Sequence, residues 1–202
     1  MTVPETQIFT YKGFHQRIPF FYGWVVVAVA FITLGIGVNA RTTFSLLFPP
    51  ILEEFDWDRA TIAGTFSVGF VAATILSPLI GAMMDKFGPR FVMPLGTIIT
   101  ALGFIFATFA KFPWHFYMTL GLMVVGGSMF ISYIGHTAFL PNWFSRHRGL
   151  AMGIAFSGVG IGSITLLPWF QYAILNEGWR QTSITVAIIL LVVLVPLNVV
   201  FQ

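Results

Sequence analysis

"GAMMDKFGPR", residues 81–90, holds three charged side chains, Asp85, Lys86 and Arg90, in ten positions. The chain as a whole has 202 residues, of which 8% are charged and 57% hydrophobic. A soluble domain carries about 25% charged residues. So few charges cannot cover a globule, and the solvent of most of this chain is lipid. The stretch therefore reads as a polar link between two long apolar runs. The chain has other such links.

Charges mark them. Uncharged runs of 23, 25, 20, 34, 28 and 22 residues separate Arg17 from Arg41, Arg59 from Asp85, Arg90 from Lys111, Lys111 from Arg146, Arg148 from Glu177, and Arg180 from the carboxyl end. About 20 apolar residues cross the hydrocarbon core as a helix. Only helices and closed barrels satisfy their backbone there, and no run alternates with the period of a barrel strand. The expected fold is all-α: a tail over 1–19, then a six-helix bundle over 20–202 with spans near 20–48, 60–84, 91–110, 114–140, 149–173 and 182–202. The Ala28-Val29-Ala30 tripeptide reads as the interior of the first span, not as a cleavage site.

Six bases (Lys12, Arg17, Lys86, Arg90, Arg146 and Arg148) fall on one side of these spans. Three (Arg59, Lys111 and Arg180) fall on the other, together with Glu53, Glu54, Asp56, Asp58 and Glu177. The positive-inside rule puts the six-base side, and both termini, in the cytoplasm of a plasma membrane, the inner membrane in a bacterium. The net charge of +3 is too sparse for a nucleic-acid surface. Cysteine is absent, so there is no disulfide framework or thiolate metal site. No cofactor is expected.

Small residues recur at close-packing intervals. Thr65, Gly69, Ala73, Ser77 and Gly81 form a row along the second span. Gly149, Gly153 and Ser157 form one in the fifth, where Gly158 and Gly162 add a Gly-x-x-x-Gly pair. Such rows let helix backbones approach in lipid.

In the opening stretch Gly88 permits a tight reversal and Gly81 a close helix approach. Asp85 sits at a helix carboxyl end, where an acid gains nothing from the dipole. It calls for a partner: Arg90, or the amino end of another helix. Gly81-x-x-x-Asp85-Lys86-x-Gly88-x-Arg90 resembles the signature of the major facilitator superfamily, between spans two and three, with Pro89 where that family usually has a base. "WFSRHRGLAMGIAFSG" resembles the fifth-span motif of the monocarboxylate transporters and the oxalate:formate antiporter group through Arg148, Ala151, Gly153, Ala155 and Gly158. Trp143 replaces that motif's Tyr or Phe, and His147 its first base. "YGWVVV" resembles their first-span motif at Gly23 and Trp24, with Pro19 in place of the family's acid.

The resemblance implies a secondary carrier of small organic anions, by symport or antiport, built from two six-span bundles. The chain would be one of them, completed by a missing carboxyl-terminal half or by a second copy, a truncated half being the favoured expectation. The resemblance makes the Asp85 motif a state-dependent gate. It associates proton coupling with an intramembrane acid of the other half. All seven acids here lie in the tail or links.

The polar groups on spans that line the cavity in that family are Arg41, Asn39, Thr42, Tyr133, His136, Trp169 and Gln171. Arg41 has two readings. It is an interface anchor whose stem snorkels to the outer headgroups, or a cavity-facing guanidinium that grips a carboxylate through two parallel hydrogen bonds. Gly37 and Ser45 would give its face the small groups of a passage. Monocarboxylate transporters carry a functional lysine in the matching region, which supports the second reading. Other function classes remain: a carrier of another substrate class, or a six-span scaffold that transports nothing. An intramembrane serine protease is not expected, since within these 202 residues no histidine follows His147 to activate Ser157.

Overall fold

The computed structural model describes residues 22–144 and 147–201. The expected tail, Arg146 and the last residue lie outside them. Among the described residues there is no strand, and six helices are long and apolar enough to cross a membrane. They are α1 (Gly23–Phe55), α2 (Arg59–Phe87), α3 (Pro89–Ala107), α4 (Pro113–Trp143), α5 (Arg148–Glu177) and α6 (Trp179–Phe201).

The links are shorter than the charge spacing suggests, because the charged residues are themselves helical. Glu54 belongs to α1, Asp85 and Lys86 to α2, Arg90 to α3, and Arg180 to α6. Their long stems reach the polar zone from within the last turns. α3 departs in the other direction, ending at Ala107.

Local chemistry sets the reversals. α1 stops where Asp56 takes a left-handed conformation (φ 50°), one an Asp tolerates better than most residues. The Asp58 carboxylate accepts a hydrogen bond from Thr61 N at 2.6 Å and caps α2. Gly88 (φ 76°, ψ 166°) turns α2 into α3, which Pro89 opens at a position where its missing N–H costs nothing. Gly178 (φ 84°, ψ 162°) turns α5 into α6 in the same way.

α4 is not one regular helix. A π-helical stretch covers Tyr117–Gly126, a 3-10 turn Met129–Ile131, and Ser132 is extended before helix resumes at Tyr133. Irregular backbone at membrane depth is tolerated only where protein or a cavity surrounds it. α4 meets that condition: 72% of its most apolar window is buried in the bundle, against 67% for α1 and only 17% and 22% for α2 and α5.

The largest packed pair is α1 with α5. A Cβ on Gly158 would run into the Phe31 carbonyl, and one on Gly162 into that of Gly35. The Gly-x-x-x-Gly pair is thus where two backbones meet. α2 lies on α4, where a Cβ on Gly69 would come within 2.7 Å of Val125 Cβ. α3 packs between α4 and α6.

The small-residue rows are used only in part. Thr65, Gly69 and Ala73 are buried, whereas a Cβ on Gly81 would have nothing within 4 Å. The close approach expected at Gly81 therefore has no partner among the described residues. On α5 the buried face is Ala151, Ala155, Gly158 and Gly162. The row expected to pack, Gly149, Gly153 and Ser157, lies on the open side, and a Cβ on either glycine would meet nothing within 4 Å.

Candidate functional site

α1 carries the central basic group. Arg41 is two residues from Asn39, the midpoint of the helix as observed, and so about 3 Å from it along the axis. Arg41 is half-buried and makes no hydrogen bond or ion pair among the described residues. The Tyr133 phenol is close enough to act on it electrostatically. Tyr133 opens the helical segment after the Ser132 break, 40% exposed, its ring edge-on to Phe156 at 5.0 Å. The break in α4 therefore brings a phenol toward the α1 guanidinium. Thr42 is half-buried beside Arg41 and donates to Val38 O at 3.1 Å, leaving its oxygen able to accept.

Gly37 forms no passage. A Cβ there would meet the Ile131 side chain at 2.7 Å, so it is a contact between α1 and α4. Ser45 is exposed.

Asn39 is a bridge between helices. Its amide donates to Gly35 O (2.7 Å) and to Val159 O (3.1 Å), and its oxygen accepts from Ser163 Oγ (2.8 Å). One amide hydrogen stays on α1, at Gly35 O, and the other, with the accepting oxygen, holds α5 against α1. His136 is fully buried. Its Nδ1 lies 3.0 Å from Ser132 O and so carries the proton, while Nε2 has no partner among the described residues. A buried acceptor left open costs about 1–3 kcal/mol, which sets His136 apart from a packed core histidine. Trp169, after the in-helix Pro168, is 43% exposed and touches Phe170. Gln171 is exposed and unbonded among the described residues. Neither is brought to Arg41 by any contact.

At the six-base end, Asp85, Lys86 and Arg90 are all exposed. Asp85 and Arg90 make no hydrogen bond or ion pair among the described residues, so the partnership expected between them is not formed. Lys86 Nζ lies 5.2 Å from the Phe87 ring. On α5 the Arg148 guanidinium donates from Nε to Phe144 O at 2.6 Å, tying the start of the helix to the end of α4.

The opposite end holds a cluster that the sequence reading missed. Arg180 Nη1 lies 2.6 Å from Glu54 Oε1, and Trp179 Nε1 donates to Glu54 Oε2 at 2.6 Å. Arg180 Nε also donates to Thr108 O, and its guanidinium stands 4.4 Å from the Trp179 ring centroid. Three links are joined at one point. The available signal was an acid and a base of opposite sign on links of the same side.

A family model described as the Major Facilitator Superfamily matches residues 25–201. Monocarboxylate transporter 13 of Bos taurus is 33% identical over 166 residues, which cover 82% of this chain and 39% of that protein. Monocarboxylate transporter 11 of Homo sapiens is 33% identical over 159 residues, 79% of this chain and 34% of the relative. The uncharacterized MFS-type transporter YcxA of Bacillus subtilis (strain 168) is 28% identical over 179 residues, 87% of this chain and 43% of the relative. The chain thus spans well under half the length of these relatives.

Proposed function

The chain belongs to the major facilitator superfamily, and from that premise we propose that it works as one bundle of an alternating-access carrier of small organic anions, monocarboxylates foremost. The observation that carries this reading is Arg41: a cation at the middle of a central membrane helix, half-buried and without an ion pair among the described residues. An unpaired arginine within the hydrocarbon costs up to about 2.5–3.5 kcal/mol on insertion scales, and a carboxylate held by two parallel hydrogen bonds would offset that cost. Tyr133 and the Thr42 hydroxyl supply further polar contacts, and the open Nε2 of His136 accepts a hydrogen bond from water or from a donor that arrives in another state. Asn39 drops out of this set because Gly35, Val159 and Ser163 already occupy its amide. Trp169 and Gln171 stay as members without a contact to Arg41.

The open faces of α2 and α5 are where a second six-span bundle would pack, on the same polypeptide or as a second copy. Gly81, Gly149, Gly153 and Gly160, each with free space around a hypothetical Cβ, favour close backbone approach there. Substrate would lie between the bundles, and the Asp85 motif would engage the second bundle in one state and release it in the other. Such a contact biases the equilibrium by its difference in energy between the states.

We place the six-base end in the cytoplasm. Single cysteines at Asp58 and His147 test this, since the chain has no native cysteine. An impermeant reagent should label Asp58→Cys in intact cells and spare His147→Cys; the reverse pattern inverts the orientation. The test of function is uptake of a labelled small monocarboxylate by cells that make the carrier. Arg41→Gln should abolish uptake and Arg41→Lys retain part of it. Unchanged substrate affinity in the Gln variant would leave Arg41 a snorkelling anchor.

A further inference from the structure

On the outside of the bundle a groove of roughly 520 Å³ runs between α3 and α6, with Phe87 from the last turn of α2 at one end. Phe87, Phe91, Leu95 and Ile98 form one wall, and Val195 and Val199 of α6 the other. Only one lining residue is polar: Arg90, at the groove's end where α2 turns into α3.

The dimensions and the charge fit one kind of occupant. From Arg90 to Ile98 the groove descends eight residues of helix, about 12 Å at helical rise. A single leaflet of hydrocarbon is about 15 Å deep. The walls stay uncovered by the rest of the bundle, with Phe91 59% and Ile98 38% exposed. Arg90 at the mouth is exposed and has no hydrogen bond or ion pair among the described residues. Lys86, one turn earlier, is exposed as well. A slot one leaflet deep with a free guanidinium at its rim matches a molecule with an apolar tail and an anionic head.

We propose that the α3–α6 groove is a binding site for an anionic phospholipid, its acyl chain lying along Phe91, Leu95 and Ile98 and its phosphate on the Arg90 guanidinium. A planar guanidinium with several donors suits a phosphate group. A zwitterionic lipid fills the groove with the same tail, but its own cation offsets the attraction to Arg90. The preference for an anionic head is therefore the signature of the site. It holds whatever the carrier transports.

The test is native mass spectrometry of the purified chain, loaded with equal amounts of dioleoyl phosphatidylglycerol and dioleoyl phosphatidylcholine. The wild-type chain should retain phosphatidylglycerol roughly fivefold over phosphatidylcholine, the factor expected for one basic residue near an anionic surface. Arg90→Gln should bring the ratio near one, and Arg90→Lys should keep most of it. Leu95→Trp, which fills the groove, should lower retention of both lipids. Lys111→Gln, at the other end of the bundle, should leave the ratio alone. A melting curve like that of wild type identifies variants that have folded, and the Lys variant keeps the test open should the Gln variant fail. Equal retention of the two lipids by wild type overturns the proposal, as does a preference that survives in Arg90→Gln.

Discussion

Gly88-Pro89-Arg90 and Gly178-Trp179-Arg180 turn the chain by one device at opposite ends of the bundle. Both glycines have φ near 80° and ψ near 165° (76° and 166°, 84° and 162°), and in both links an arginine follows two residues later. The links differ in what surrounds the arginine. Arg180 is held by Glu54, by the Thr108 carbonyl and by the face of Trp179. Among the described residues Arg90 has no such partner, and the acid on its own link, Asp85, has none either. At one end the bundle closes its charges on itself. At the other it presents them outward. Equal backbone with unequal charge satisfaction separates what holds this bundle together from what it offers to its surroundings.

The strongest way to break the comparison is at the glycines. Both occupy a region of backbone space that is essentially glycine-only, costing about 1–3 kcal/mol for other residues. Gly88→Ala and Gly178→Ala should each lower stability by about that amount in thermal unfolding of the detergent-solubilised chain. A large loss at one and none at the other would show that the two turns are not equivalent.

The charges come next. Glu54→Ala leaves Arg180 and the Trp179 indole without their acceptor. The pair is about 40% exposed (43% and 37%), so screening limits the loss to about 1 kcal/mol, shrinking further at high salt. Asp85→Asn should change the stability of the chain by less than about 0.5 kcal/mol, yet depress transport in the assembled carrier while leaving insertion intact. If Asp85→Asn destabilises the chain as much as Glu54→Ala does, the contrast between the two ends is lost.

The smallest effect lies at the closed end. The Thr61 hydrogen bond holds the Asp58 carboxyl below its usual range. Its contribution is present above the ordinary carboxylate pKa, near 3.9, and disappears as pH falls through the lowered folded-state value. Acidification should then lower the protection factor of the Thr61 amide, its exchange rate corrected for the intrinsic pH dependence, and Asp58→Asn should remove that change.

Much of this was legible in the sequence. Gly88 followed by Pro89 announced the reversal, because few residues other than glycine take that backbone. Gly158 and Gly162 announced a helix contact, because their spacing puts both on one face. Their partner on α1 could not be read, and so Asn39 passed for a ligand: a polar side chain looks the same in sequence whether it meets a substrate or a neighbouring helix. The same limit hid Glu54 and Arg180, which are separated by 126 residues and meet only after five reversals. The row Gly149, Gly153 and Ser157 misled in the opposite sense, since α5 has two small-residue faces and spacing alone does not say which is covered. Nothing in the apolar run from Tyr117 to Gly126 distinguishes a π-helix from an α-helix.

That wide stretch of α4 has a consequence for how the gene can change length. In a continuous α-helix, losing one residue swings everything beyond it by about 100°. A π-helical turn already stores surplus chain relative to an α-helical one. Removing a residue there can let the turn tighten while the later side chains keep their direction. Deleting Leu122, exposed within Tyr117–Gly126, should leave Tyr133 and His136 facing as they do now. Deleting Ile32, similarly exposed on the unbroken α1, should rotate Asn39 off Val159 and prevent folding. Single-codon insertions and deletions among the coding sequences of this lineage should therefore collect in α4 and be missing from α1.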